Sequence, residues 1–79
     1  MDPARLLLER THTLESTIVR LMKQNRKMKH NELVSTLIQT VQRIFSPEVS
    51  HIKKTIESLI DREYLARDVK DRSTYVYLA

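Results

Sequence analysis

Apolar residues recur along this chain with helical spacing as far as about residue 62, and with strand-like alternation after it. A first helix is expected from residue 3 to about residue 24. Asp2-Pro3 sets an acidic cap before a proline whose missing N–H costs nothing at the first helical position. Leu7, Leu14, Ile18, Leu21 and Met22 share one stripe of this helix. The polar run Glu9-Arg10-Thr11-His12-Thr13 divides it in two. Residues 1–13 therefore read as the end of a connecting helix, with Leu6, Leu7 and Leu8 suited to a neighbouring domain, and the domain itself begins at Leu14.

Residues 26–29 carry no helical stripe and one apolar residue, Met28, between two lysines, which predicts a short extended segment with Met28 inward. His30 or Asn31 is then expected to cap a second helix. Its residues Leu33, Val34, Leu37, Ile38, Val41, Ile44 and Phe45 give the clearest amphipathic pattern in the chain. Ser46-Pro47 ends that helix, because proline restricts the residue before it and cannot donate to a helical ladder. Ser50 is placed to cap a third helix to about residue 62, with Ile52, Ile56, Leu59 and Ile60 inward. Residues 64–67 and 74–78 are β-favouring runs on either side of the polar turn at 68–73, a hairpin. Alternation sets Tyr75 and Tyr77 on one face and Val76 and Leu78 on the other, and does not say which face is buried. The order α-β-α-α-β-β is that of an α+β winged helix: a three-helix bundle with a short strand and a C-terminal β-hairpin as the wing, spanning residues 14–79.

With 79 residues, one small domain is expected. There is no cysteine, hence no disulfide or thiolate metal site, and a reducing interior, cytoplasm or nucleus, is the simplest home. The longest aliphatic run, Leu6 to Leu8, falls far short of the roughly 20 residues of a membrane helix, so no membrane partner is expected. The chain also lacks glycine, so its tight turns are expected to rely on Asn, Asp and Lys. His12, His30 and His51 are too scattered for a metal site, and no nucleophile, base and orienting group can be nominated. Neither cofactor nor catalysis by this domain is expected.

Charge sharpens the picture. Residues 1–30 hold seven bases and three acids, 7 − 3 = +4, while residues 31–79 balance seven against seven. Arg20, Lys23, Arg26, Lys27 and Lys29 follow one another with no acid between them. A winged helix with this charge invites a nucleic-acid reading, in which the third helix enters the major groove and the wing touches phosphate. Those surfaces are not basic. The third helix and its flanks set Lys53, Lys54 and Arg62 against Glu48, Glu57, Asp61 and Glu63, and the turn sets Lys70 and Arg72 against Asp68 and Asp71, so nucleic-acid binding is the lesser alternative.

Four separated blocks carry a stronger signal: Ile18-Val19-Arg20-Leu21-Met22-Lys23, Lys29-His30-Asn31-x-Leu33-Val34, Ile52-Lys53-Lys54-x-Ile56-Glu57-x-Leu59-Ile60-Asp61-Arg62-Glu63-Tyr64-Leu65 and Tyr75-x-Tyr77-Leu78-Ala79. With this spacing, the chain resembles the C-terminal winged-helix domain of cullins, the scaffolds of multi-subunit ubiquitin ligases. Leu21 stands where isoleucine is commoner in that family, and Asn25 where arginine often follows the acceptor. The resemblance implies that Lys23 accepts a ubiquitin-like modifier through an isopeptide bond (neddylation) and that Arg20, Arg26, Lys27 and Lys29 are candidates for docking partners. Those partners would be a RING-box subunit, a conjugating enzyme charged with the modifier, a co-ligase and the deconjugating signalosome. It further implies that catalysis belongs to partner subunits, and that modification loosens this domain and frees the RING module.

Overall fold

The computed structural model describes residues 2–78, and the order of elements is α1 (Pro3–Asn25), β1 (Lys27–Lys29), α2 (His30–Val41), α3 (Val49–Asp61), β2 (Leu65–Arg67) and β3 (Thr74–Tyr77). This is the winged-helix order read from the sequence. Asp2 caps α1 by accepting from the Ala4 N–H at 3.0 Å, with Pro3 in the first turn. At about 1.5 Å per residue, the 23 residues of α1 extend roughly 34 Å. Only its C-terminal half meets the core, through Leu14, Thr17, Ile18, Leu21 and Met22, whereas Leu7 is 57% exposed and off the buried stripe.

The sheet order is β1-β3-β2, all antiparallel, with Met28 opposite Tyr75 and Ala66 opposite Val76. Met28 points inward as its lysine neighbours require, and Tyr75 and Tyr77 form the packed face of β3. The buried set joins the three helices to the sheet through Leu33, Leu37, Val41, Phe45, Ile52, Ile56, Leu59 and Leu65. Side-chain bonds reinforce these joints. Thr11 Oγ1 lies 2.7 Å from His51 Nε2 between α1 and α3, and His30 Nδ1 lies 2.7 Å from the Tyr75 hydroxyl between α2 and β3.

Three local expectations are corrected. First, α2 stops at Val41 and tightens into a turn, where both Ile44 and Phe45 N–H groups bond to the Val41 carbonyl, at 2.8 and 3.1 Å. The tightened turn breaks the helical phase, so Ile44 is 72% exposed while Phe45 still returns to the core. Second, the caps lie earlier than read. Lys29 precedes α2, its N–H bonded at 3.1 Å to the Glu32 carboxylate, because the His30 N–H is taken by the Ser73 carbonyl at the end of the wing turn. Glu48 precedes α3, leaving Ser50 within its first turn. Third, the left-handed positions are filled by Arg26 (φ 68°) and Glu63 (φ 66°), not by Asn, Asp or Lys. Arg26 is held there by its N–H to the Met22 carbonyl at 2.7 Å and its carbonyl to the Tyr77 N–H at 2.8 Å. Aspartate does govern the wing: Asp71 accepts from the Ser73 N–H, the Ser73 hydroxyl and the Thr74 hydroxyl at 3.0, 2.6 and 2.8 Å.

Candidate functional site

Lys23 stands in the last turn of α1, one residue past the buried pair Leu21 and Met22. These residues, with Leu14 and Ile18, clamp one side of the helix, so the exposed opposite side has a fixed direction. Asn25 tightens this end, its side-chain amide donating to the Leu21 carbonyl at 2.8 Å. The end is further pinned where the Arg26 carbonyl joins β3. A cation in the last turn also faces the helix's negative pole, favourable by about 0.3–1 kcal/mol at an exposed site. The result is an exposed amine on a rigid support.

The five cations of the basic run do not act as one patch. Arg20 and Lys23, three residues apart, share an exposed stripe of α1. Arg26 is folded back over the Tyr77 ring, 5.5 Å from its centroid. Lys27 and Lys29 occupy the outer face of β1, where Lys27 Nζ lies 3.7 Å from Asp68. Among the described residues, Arg20, Lys23 and Lys29 have no ion-pair partner. Of these, Lys23 and Arg20 alone sit on the helix.

Around Lys23 the fold adds residues from α3 and beyond it to those of its own helix face. Glu15, Ser16 and Val19 of α1, Leu59 and Arg62 from the end of α3, and Tyr64 line the same shallow depression as Lys23. Arg62 pairs with Glu15 across the helices and stacks on Tyr64 at 5.6 Å. Only helix packing makes this grouping visible.

The nucleic-acid surfaces are largely self-neutralised. On α3, Glu57 pairs with Arg67 of β2, and Arg62 is committed to Glu15. Burial acts against the Arg67 charge, but the hydrogen bond and charge of Glu57, with Tyr75 beside it, outweigh that and hold its pKa above the ordinary guanidinium value. Burial raises the Tyr75 hydroxyl, although Arg67 opposes it. Hydrogen bonds from Ser73 and Thr74 hold the Asp71 carboxyl below its usual range, which keeps a negative charge at the wing turn. Lys53 and Lys54 are left as exposed cations on α3. Among the described residues no group of His, Asp or Glu could hold a metal ion, and no helix is long and apolar enough to cross a membrane.

Comparison with known proteins places this arrangement. Residues 9–71 match the family model for the cullin protein neddylation domain. Cullin-3 of Dictyostelium discoideum is 46% identical over 71 residues, covering 90% of this chain and 9% of that protein. Cullin-3 of Caenorhabditis elegans is 45% identical over 71 residues, again 90% of this chain and 9% of the relative. Cullin-2 of Arabidopsis thaliana is 38% identical over 84 residues, covering the whole of this chain and 11% of the relative. The chain thus spans about a tenth of the length of these relatives. Among solved structures, the Cdc53(WHB) chain of a Dcn1–Cdc53 structure, described as a dual E3 mechanism for Rub1 ligation to Cdc53, superposes with a TM-score of 0.90 at 39% identity. The superposition covers 96% of this chain and 87% of that one.

Proposed function

Because the chain belongs to the cullin family and constitutes its neddylation domain, we propose that Lys23 is the acceptor of the ubiquitin-like modifier and that its modification switches on a ubiquitin-ligase scaffold. The observation that carries this reading is the placement of Lys23: an exposed amine without an ion-pair partner among the described residues, on a helix end fixed by Leu21, Met22 and the Arg26–Tyr77 backbone bond. The required chemistry is simple. The neutral amine attacks the thioester carbonyl that joins the modifier to its conjugating enzyme, a C–N bond forms, the C–S bond breaks, and the enzyme's cysteine leaves as thiolate. The amine's surplus proton passes to solvent or to that thiolate.

This domain contributes position, not catalytic groups. Holding a nucleophile in line with its target can be worth on the order of 7 to 11 kcal/mol, far more than the charge of one exposed lysine. Of the candidate docking cations Arg20, Arg26, Lys27 and Lys29, Arg20 shares the acceptor's exposed stripe while Arg26 is stacked on Tyr77 and Lys27 paired with Asp68, and the enzyme that carries the thioester supplies the chemistry. The structure in which Cdc53(WHB) is bound to Dcn1 supports a co-ligase and a ubiquitin-like modifier as partners here as well. A RING-box subunit and a deconjugating signalosome complete the proposed set, with residues 1–13 leading in from the rest of the scaffold.

Transfer with purified conjugation enzymes tests the assignment. Lys23→Arg keeps the charge, so it should bind its partners about as well as the parent yet accept almost no modifier over the parent's reaction time. Lys27→Arg should be modified at a near-normal rate. Efficient transfer to Lys27 or Lys29 in the Lys23→Arg protein would mean that local charge chooses the site, and the assignment would be withdrawn.

A further inference from the structure

Lys23 lies at one end of a shallow groove between α1 and the exit of α3, with Val19, Leu59 and Tyr64 along it and Ser16 and Arg62 at its sides. Leu59 is buried and Val19 half-buried, whereas Tyr64 remains 47% exposed. Arg62 covers one face of the Tyr64 ring, and the exposed remainder of Tyr64 borders the groove. Arg62 is held in place twice, by its pair with Glu15 and by its Nε donating to the Ser58 carbonyl at 3.3 Å. A guanidinium has five N–H groups, so Arg62 keeps donors to spare while its position is fixed.

We propose that this groove receives the extended carboxyl-terminal tail of the modifier during transfer to Lys23, with Tyr64 and Arg62 as positioning residues. The proposal rests on Lys23 being the acceptor. The bond to be made points to the occupant: attack requires the thioester carbonyl carbon to come within about 3–3.5 Å of Lys23 Nζ, which brings the residues just before that carbonyl close to the surface adjoining Lys23. The concave part of that surface is this groove. Its apolar side suits the Cα edge of an extended peptide, and the spare Arg62 donors and the Ser16 hydroxyl suit its carbonyl oxygens. After the C–N bond has replaced the C–S bond, the same contacts would hold the tail against the domain.

Single-turnover discharge of a conjugating enzyme charged with the modifier, onto the full chain, reads the effect directly. Ser16→Arg places a long side chain in the groove from an exposed helix position. Tyr64→Ala removes the ring but spares the backbone bonds of Tyr64 to Leu59 and Leu78, at 2.9 and 3.1 Å. Each variant should slow transfer to Lys23 about tenfold or more at saturating enzyme, with the protein still folded at the assay temperature and affinity for the uncharged enzyme unchanged, and Tyr64→Phe should restore the rate. Parental rates in both Ser16→Arg and Tyr64→Ala, with the modifier still mapped to Lys23, would overturn the groove and leave the acceptor intact. Slowing that disappears at saturating enzyme would also overturn it, since the groove would then serve enzyme docking. Modification of the parent protein away from Lys23 would instead remove the reading on which the proposal rests.

Discussion

Truncating Leu37 to alanine strips the isopropyl group from the middle of α2, where the side chain has no exposed surface at all. The cost combines the lost transfer free energy with the cavity left behind, about 2 to 5 kcal/mol for such a site. For 79 residues at about 2.1 cal/mol/K each, the unfolding entropy is near 0.17 kcal/mol/K, so the melting midpoint should fall by roughly 12 to 30 °C. Ile44→Ala supplies the contrast. It removes a similar volume from the apolar pattern of the same segment, but 72% of Ile44 is already in water. Its cost should stay within about 0.5 kcal/mol, a shift of roughly 3 °C or less. Thermal and urea unfolding followed by far-UV circular dichroism would measure both, with equal urea slopes showing that the two variants expose comparable surface. Equal midpoints, or a larger loss for Ile44→Ala, would refute the claim that α2 ends at Val41 and turns Ile44 outward.

The wing should lose stability at acid pH in a way that traces to Asp71. Its carboxyl titrates below the usual range because Ser73 and Thr74 donate to it, so the stabilisation is complete above the unfolded value of about 3.9 and is lost as pH falls through the lower folded value. Asp71→Asn should flatten the decline of the urea midpoint below about pH 4, and identical declines in the two proteins would contradict the assignment. Short duplex DNA should bind weakly, without sequence preference and less as salt is added. A sequence-dependent affinity below roughly a micromolar at physiological salt would restore the nucleic-acid reading.

What could be read from the sequence was whatever depends on near neighbours in the chain. Leu14, Ile18, Leu21 and Met22 announce the buried side of α1, and Met28 between two lysines announces an inward residue on a strand. Both follow from side-chain period alone. Ile44 shows where period fails, because a tightened turn carries the apolar pattern a few residues beyond the helix and then reverses one of them. The left-handed Arg26 and Glu63 were equally hidden. Neither residue type favours that conformation, and each is held by backbone bonds to the ends of helices and strands, such as Arg26 to Tyr77. At the candidate site, the helix bearing Lys23 was legible, but its neighbours Arg62 and Tyr64 arrive from the far end of α3. Their proximity arises from the packing of α1 on α3, which no spacing along the chain encodes. That Tyr75 and Tyr77, not Val76 and Leu78, face the core was likewise settled only by the sheet, since both faces of β3 carry apolar residues.

The most direct test of the central claim is mass spectrometry of the protein isolated from its own cells, with proteolysis chosen to leave the modifier's terminal remnant on the acceptor lysine. The remnant should be found on Lys23 and disappear after treatment with a deconjugating enzyme. A remnant on Lys27 or Lys29, with Lys23 unmodified in the same sample, would contradict the account.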